Sequence, residues 1–433
     1  MDRSVAYDVK GWCPGALRPM QSGDGLIVRI RPRSATFSPE QLTALADAAR
    51  RFGNGHIDLT RRANLQIRGV SEASLPSLHD VIARLGLLDD NPDGEAVRNV
   101  MINPLAGIDS AEVLDVRNIG REIARLLASK KTLWALPGKF GFVVDGGGTL
   151  TLADQHADVR LTAIGSGPDV AIGLETRRGV DWVGSIAPAA ATAVAIEIGL
   201  AFIGVASREG RRRMRDLSGN GLASIRSAIA PRLEALRENP SNPDAPPVRR
   251  IGLARLGVDR FAVGIAAPFG RIEADQLRNL ADAVAAHGIR EIRLSPWRTL
   301  YAAVPDPEAA RSILDAARSD GLIVDPGDPL LQVEACPGTP GCRSTSLNTR
   351  GDGRMLARFL PRFGFTGTLH VSGCSKGCAK SGPADLVLIG ADGAYGIVHD
   401  GTAQDRPGRS LSVADLADDP GKVFKADRGA THD

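Results

Sequence analysis

The sequence predicts an α+β protein built by internal duplication, its two copies related by a pseudo-twofold. Three observations predict it. Residues 37–65 align without a gap onto residues 272–300 at a constant offset of 235, and ten of the 29 positions are identical, among them Gln41/Gln276, Leu42/Leu277, Asp47/Asp282 and Gly53/Gly288. Both copies carry the same order of patterns: an alternating strand, a helix with apolar residues at helical spacing that ends near a glycine, then a short β-type run. Between them, the Asn- and Pro-rich stretch Asn239–Pro247 fits neither helix nor central strand and reads as an exposed linker.

Taken in chain order, the first copy opens with the alternating strand Leu26–Ile30, followed by the duplicated helix and the run Ile57–Leu59. Gly146-Gly147-Gly148 lies between strand-like runs without the G-x-G-x-x-G spacing of a nucleotide site, so a hairpin turn is expected there. Leu161–Gly165 is echoed faintly by Leu386–Gly390. The apolar segment 186–206 is interrupted by Pro188, Thr192 and Glu197 and is rich in small residues. A carboxylate at mid-span is costly in lipid, so a buried core helix is expected rather than a membrane span. The second copy repeats the scheme with Phe261–Ile265 and Ile292–Leu294.

Composition bounds the function. With 433 residues and 43% hydrophobic content, roughly two to four domains with substantial cores are expected, and disorder is excluded. The 53 Lys+Arg against 50 Asp+Glu leave a net charge of +3, which argues against a dedicated nucleic-acid binder. The N-terminal residues lack an apolar signal region, so a cytoplasmic location is expected. Five cysteines without an export signal make a disulfide framework improbable and direct attention to metal chemistry.

Four of those cysteines fall in the second copy as Cys336-x5-Cys342 and Cys374-x3-Cys378. Soft thiolates from two loops select zinc, Cu(I) or an iron–sulfur cluster. The five-residue gap counts against zinc, which prefers two to four, and the Gly/Pro padding leaves room for more than one ion. An iron–sulfur cluster is the leading reading, with structural zinc second. Cys13, in Gly11-Trp12-Cys13-Pro14-Gly15, reads as either a buried small hydrophobe or a reactive thiol. The first copy instead carries cations: Thr60-Arg61-Arg62, Arg98-Asn99-Val100, Pro137-Gly138-Lys139-Phe140-Gly141 and the run Arg208–Arg215. Rigid arginine forks suit carboxylates two oxygens at a time. The last run also suits a helix end.

The two-loop cysteine motif and the duplication resemble the sulfite/nitrite reductase superfamily over nearly the whole chain. That resemblance implies two ferredoxin-like half-domains, at residues 1–93 and 251–310, plus two larger α/β domains. These are an anion- or tetrapyrrole-binding domain at 94–238 and a cluster-binding domain at 311–433, with a linker at 239–250. It implies a [4Fe–4S] cluster on Cys336, Cys342, Cys374 and Cys378, the last also bridging to sirohaem iron. It further implies substrate-binding roles for Arg62, Arg98 and Lys139. The offset of 235 would make Lys139 the symmetry mate of Cys374.

Two departures point away from sulfite. Gly141 stands where the superfamily has a second lysine, and Ser375-Lys376 stand where Pro-Asn is common. The segments Gly11–Gly25, Ser295–Leu300 and His370–Cys378 resemble more closely one branch, the precorrin-3B synthase family of aerobic cobalamin biosynthesis. This implies an O₂-dependent monooxygenase that hydroxylates precorrin-3A at C20 with γ-lactone formation. It also implies a second iron centre, either sirohaem or mononuclear non-haem iron. Electrons derived from NADH would arrive through a partner reductase, and other enzymes of the pathway are further possible partners. No H-x-D/E motif nominates iron ligands; His370, four residues before Cys374, is the first to test. A sirohaem-dependent nitrite or sulfite reductase is the alternative enzyme, and a zinc-stapled tetrapyrrole-binding protein the alternative without catalysis.

Overall fold

The computed structural model describes residues 13–165, 169–237, 239–240 and 251–424. Most of the expected linker, residues 241–250, lies outside them, as do Gly11 and Trp12 of the first motif. The described residues form two compact units, one within 13–20 and 26–324, the other within 21–25 and 325–424.

The larger unit contains the duplication. Helix Pro39–Phe52 begins with a capping box in which Ser38 and Gln41 satisfy each other's backbone N–H, and helix Ala274–Ala285 begins identically with Glu273 and Gln276. The amide of Gln41 then donates to the Leu85 carbonyl at 2.9 Å and that of Gln276 to Asp320 at 2.5 Å, the same contact 235 residues on. Leu42, Leu45 and Ala46 share one core with Leu277, Leu280 and Ala281. Backbone geometry repeats as well. Ser34 and Ala35 have φ of 55° and 56°, their counterparts Phe269 and Gly270 have 56° and 74°, and Ala63 and Arg298 have 51° and 60°. Three coincident left-handed positions, costly for non-glycine residues, show that the same turns were inherited twice.

The copies exchange strands. Thr36–Phe37 of the first pairs with Ile292–Leu294 of the second through Phe37↔Ile292. Arg271–Glu273 of the second pairs with His56–Leu59 of the first through Ile272↔Ile57, the mirror-related contact. Neither sheet is complete without the other copy.

A third sheet in this unit runs Gly179–Ile186, Asp169–Thr176, Val159–Ile164, Phe142–Asp145, Val100–Ile102, the last three parallel and the rest antiparallel. Helix Pro188–Glu209 covers it. By length and composition this helix suffices to cross a membrane. Here Ala191, Val194, Ile198 and Phe202 are fully buried in the core with Ile123, Phe142 and Ile172.

The smaller unit holds a sheet of the same design: Val333–Ala335, Leu369–Ser372 and Ala384–Ala391 in parallel, then Ala394–Gly401 and Arg409–Ser412 antiparallel. Val144 pairs with Leu161 in one sheet and Leu369 with Leu386 in the other, so the faint echo marks equivalent strands at an offset of 225. Two expectations are corrected by this register. Lys139 precedes its strand while Cys374 follows the equivalent one, so they lie at opposite strand ends and are not symmetry mates; the loops lost ten residues between copies. Gly146–Gly148 is not a hairpin turn either, because the flanking strands Phe142–Asp145 and Val159–Ile164 are parallel.

Candidate functional site

The four cysteines lie at the carboxyl ends of two parallel strands, where α/β sheets place their ligands. Cys336 follows Val333–Ala335 directly and is 6% exposed. Its sulfur accepts a hydrogen bond from the Gly373 N–H at 3.2 Å, and the Cys342 sulfur accepts one from the Ser344 N–H at 3.4 Å. Thr349 donates its hydroxyl to the Cys336 carbonyl at 2.7 Å, and Ser372 donates to that of Cys374 at 2.7 Å, fixing both loops. Gly338 and Gly377 are left-handed, each with φ of 61°, and a Cβ at Gly338 would strike Thr349 and the Leu347 carbonyl. Ser22 reaches this loop too, donating to the Gly341 carbonyl at 2.9 Å, and a Cβ at Gly23 would come within 3.0 Å of the Cys342 nitrogen. The Gly11–Gly25 motif thus braces the first cysteine pair through its far end.

Loss of solvation pushes the Cys378 thiol up to about 11, and the negative charge of Cys336, Cys374 and Cys342 adds to it, against the pull of Lys376. Cys374 is raised for the same first reason, with Cys336 and Cys342 contributing. Positive charge among such thiols would favour their thiolate form. Among the described residues no three His, Cys, Asp or Glu side chains form a group suited to a single ion. Four thiols on two loops, with amide N–H groups aimed at two of them, would suit an iron–sulfur cluster, whose thiolates such hydrogen bonds tune. His370 is 0% exposed within strand Leu369–Ser372, under this loop.

The cations of the first copy form a second constellation, in the larger unit. Arg62 sits in the left-handed turn between His56–Leu59 and Leu65–Val70, a turn that carries Trp297 in the second copy. One of its Nη atoms donates to the Lys139 carbonyl at 3.1 Å; the other is buried without a partner among the described residues. Arg62 and Lys139 are therefore together. The Lys139 loop is held from beneath by Asn99, whose amide donates to the carbonyls of Ala96, Gly138 and Phe140 at 3.0, 3.2 and 3.1 Å. Asp158, 0% exposed, accepts from the N–H groups of Gly141 and Met214 and from Arg213 Nε at 3.0, 2.8 and 3.0 Å.

Arg98 is placed differently. It is 5% exposed and closes on Asp89 at 2.7 and 3.1 Å while donating to the Arg31 and Pro32 carbonyls. Its motif serves the constellation through the neighbouring Asn99. Arg31, Arg68, Arg213 and Arg271 are likewise each matched by a carboxylate. Among the described residues Arg62 is not, and neither is Arg29, which bonds the neutral Gln66 oxygen at 2.7 and 3.0 Å and the Cys13 thiol. Enclosure, then the charges of Arg31 and Arg62, bring Arg29 down to about 10. A desolvated charge without a counter-ion costs several kcal/mol. Two adjacent ones suit an anion between them.

Gly141 adjoins this place. A Cβ there would meet nothing closer than 3.5 Å, and its backbone is not left-handed. Sterics do not demand glycine; what its presence removes is a charge.

Comparison with known proteins places this geometry. The model of the nitrite/sulfite reductase ferredoxin-like half domain matches residues 18–85 and 255–319. A precorrin-3B synthase of Sinorhizobium sp is 34% identical over 408 residues, covering 93% of this chain and 86% of that protein. The chain belongs to the precorrin-3B synthase family. Nitrite reductases are more distant: the ferredoxin–nitrite reductase of Synechococcus elongatus is 25% identical over 86% of this chain and 78% of its own. The NirA protein of Mycobacterium tuberculosis shares the fold, with a TM-score of 0.73 at 22% identity over 90% of this chain and 77% of that one. For a precorrin-3B synthase family member, the residues that sequence reasoning missed are Arg29, Gln66, Asn99 and Asp158. Arg29 alternates with the core positions Val28 and Ile30, so its place on the opposite face was readable; its missing counter-ion was not.

Proposed function

We propose that the chain is a precorrin-3B synthase: an O₂-dependent monooxygenase that hydroxylates precorrin-3A at C20 and closes the ring A acetate onto C1 as a γ-lactone. One oxygen atom enters the substrate and the other leaves as water, on two electrons and two protons. The observation that carries this reading is the pair of unneutralised guanidiniums beside Gly141. A small oxyanion is best held by closely packed cations, whereas a macrocycle with acetate and propionate arms needs fewer charges and more room.

Cys336, Cys342, Cys374 and Cys378 would hold a [4Fe–4S] cluster, which supplies the one-electron steps that O₂ requires and ordinary side chains lack. A second iron centre, sirohaem or mononuclear non-haem iron, completes the proposed cofactor set. NADH-derived electrons enter through a reductase partner in the cytoplasm, where other cobalamin-pathway enzymes are available for association. Arg62 binds a substrate carboxylate, its orientation set by the Lys139 carbonyl. Lys139, exposed on a loop pinned by Asn99 and Asp158, meets a second arm. Arg98 keeps that segment in place through Asp89. Asn99 spends its amide on backbone carbonyls and Asp158 its carboxylate on two backbone N–H groups and Arg213, so they position and do not react.

The test is anaerobic purification followed by addition of precorrin-3A, O₂ and a reductant. Mass analysis should show the oxygenated product, one atom of which derives from ¹⁸O₂. Reduction of nitrite or sulfite with no such product would return the chain to the reductases. Cys374→Ser should abolish bound iron and acid-labile sulfide and reduce soluble yield, because a bound cluster contributes to folding. Normal cluster content in that variant would move the ligand elsewhere.

A further inference from the structure

The reading above assigns Arg29 no group of the substrate, and its surroundings point to one. It lies on strand Gly25–Ile30 directly across from Gln66 of strand Leu65–Val70, on the face away from the half-domain core. Gln66 accepts from Nε and one Nη of the guanidinium, which fixes the fork's plane. The neighbouring charges are Arg62 and Arg31; Arg31 is already neutralised by Glu95 at 2.8 Å. The Cys13 thiol is hydrogen-bonded to Arg29 and lies within electrostatic reach of Arg62. Arg62 in turn keeps a buried Nη with no partner among the described residues.

Arg62 therefore retains a donor beside a second guanidinium held by a neutral amide and a thiol, where a structural carboxylate would ordinarily stand. If Arg29 served the fold, a glutamate at position 66 would stabilise it far better than glutamine. A neutral holder orients the fork without spending its charge. A ligand carboxylate entering between the two cations would gain charge-assisted hydrogen bonds from both.

We propose that Arg29, oriented by Gln66, forms with Arg62 a two-arginine clamp for one carboxylate arm of the substrate, and that Cys13 lines the same subsite. This assignment rests on the tetrapyrrole reading given above. It makes Arg29 a binding residue, Gln66 a positioning residue, and Cys13 a reporter of occupancy.

The probe is uroporphyrin III, an octacarboxylate macrocycle, titrated into the anaerobically purified full chain, with its octamethyl ester as the uncharged control. Wild type should bind the acid and not the ester. Arg29→Gln should weaken binding by roughly tenfold to a hundredfold, the range for losing one charged hydrogen-bonding partner. Arg29→Lys should recover part of that loss, since it keeps the charge without the fork. Uroporphyrin should slow carbamidomethylation of Cys13, followed on its tryptic peptide, in wild type but not in Arg29→Gln at the same ligand concentration. Because the variant removes a half-buried charge that no carboxylate neutralises, its thermal midpoint should hold or rise. Undiminished affinity in Arg29→Gln, or a lowered midpoint, would overturn the clamp and leave the substrate class standing. Equal binding of acid and ester by wild type, or of neither, would overturn the polycarboxylate reading itself.

Discussion

Asp89 illustrates how a single carboxylate decides what its neighbours do. Burial alone would raise its pKa, but Arg98 and then Arg33 outweigh burial and hold it below the ordinary value of about 3.9. The stabilisation is therefore present above that value and is lost as pH falls through the lower folded-state pKa. Asp89→Asn would strand the Arg98 guanidinium, 5% exposed, without a counter-ion. Breaking such a pair costs about 3–5 kcal/mol. Urea unfolding at neutral pH should show that loss. The variant should also show a shallower decline in stability between roughly pH 5 and 2 than wild type. A midpoint within error of wild type would mean that Arg98 is free to serve a ligand after all. Arg98, Arg62 and Lys139 look alike in sequence, as cations in short motifs of the first copy. What separates them is Asp89, nine positions away and unremarkable until the chain folds.

At the scale of elements, the two α/β sheets show what happens when one loop design is used twice. Asn103-Pro104 follows Val100–Ile102 as Cys336-Pro337 follows Val333–Ala335. Asn103 reaches the next loop, donating to Asp145 at 3.2 Å and to the Gly147 carbonyl at 2.9 Å, while its own oxygen accepts from Leu105. Cys336 reaches the equivalent loop by accepting from Gly373. An amide closes one copy where thiolates and the proposed cluster close the other. Asn103→Ala should then cost about 1–3 kcal/mol, since Asp145 is fully enclosed, already raised by loss of solvation, and would lose a donor. Guanidinium unfolding measures it, and an unchanged midpoint would show that the glycine loop stands without the amide. This correspondence was only half legible beforehand. The helix and short strands of the half-domains kept their length, because Leu42, Leu45 and Leu277, Leu280 fill one shared core, so the offset of 235 survives in sequence. The loops between sheet strands are under no such packing constraint. Their lengths drifted, the offset became 225, and extending the first register assigned Cys374 the wrong mate. Ligand-binding loops tolerate that drift because the strand ends, not the loop lengths, set where the ligand sits.

Across the whole duplication, the exchange of strands makes each copy a structural part of the other. Thr36–Phe37 completes the second copy's sheet and Arg271–Glu273 completes the first. Their helices share a core in which Leu42, Leu45, Ile57, Leu277, Leu280 and Ile292 are all 0–2% exposed. Separating the copies would expose these side chains, each worth roughly 1.5–3 kcal/mol when fully buried, together with two open sheet edges. A protease site placed between Pro240 and Ile251 therefore offers a direct test. After cleavage the two fragments should co-elute at the mass of the intact chain in gel filtration and retain its far-ultraviolet dichroism. They should part only in denaturant, and remixing from denaturant should restore the complex. Fragments that separate in native buffer and stay folded would show that each copy completes its own sheets. The exchanged strands would then be a minor contact, and the duplication would consist of two independent domains joined end to end.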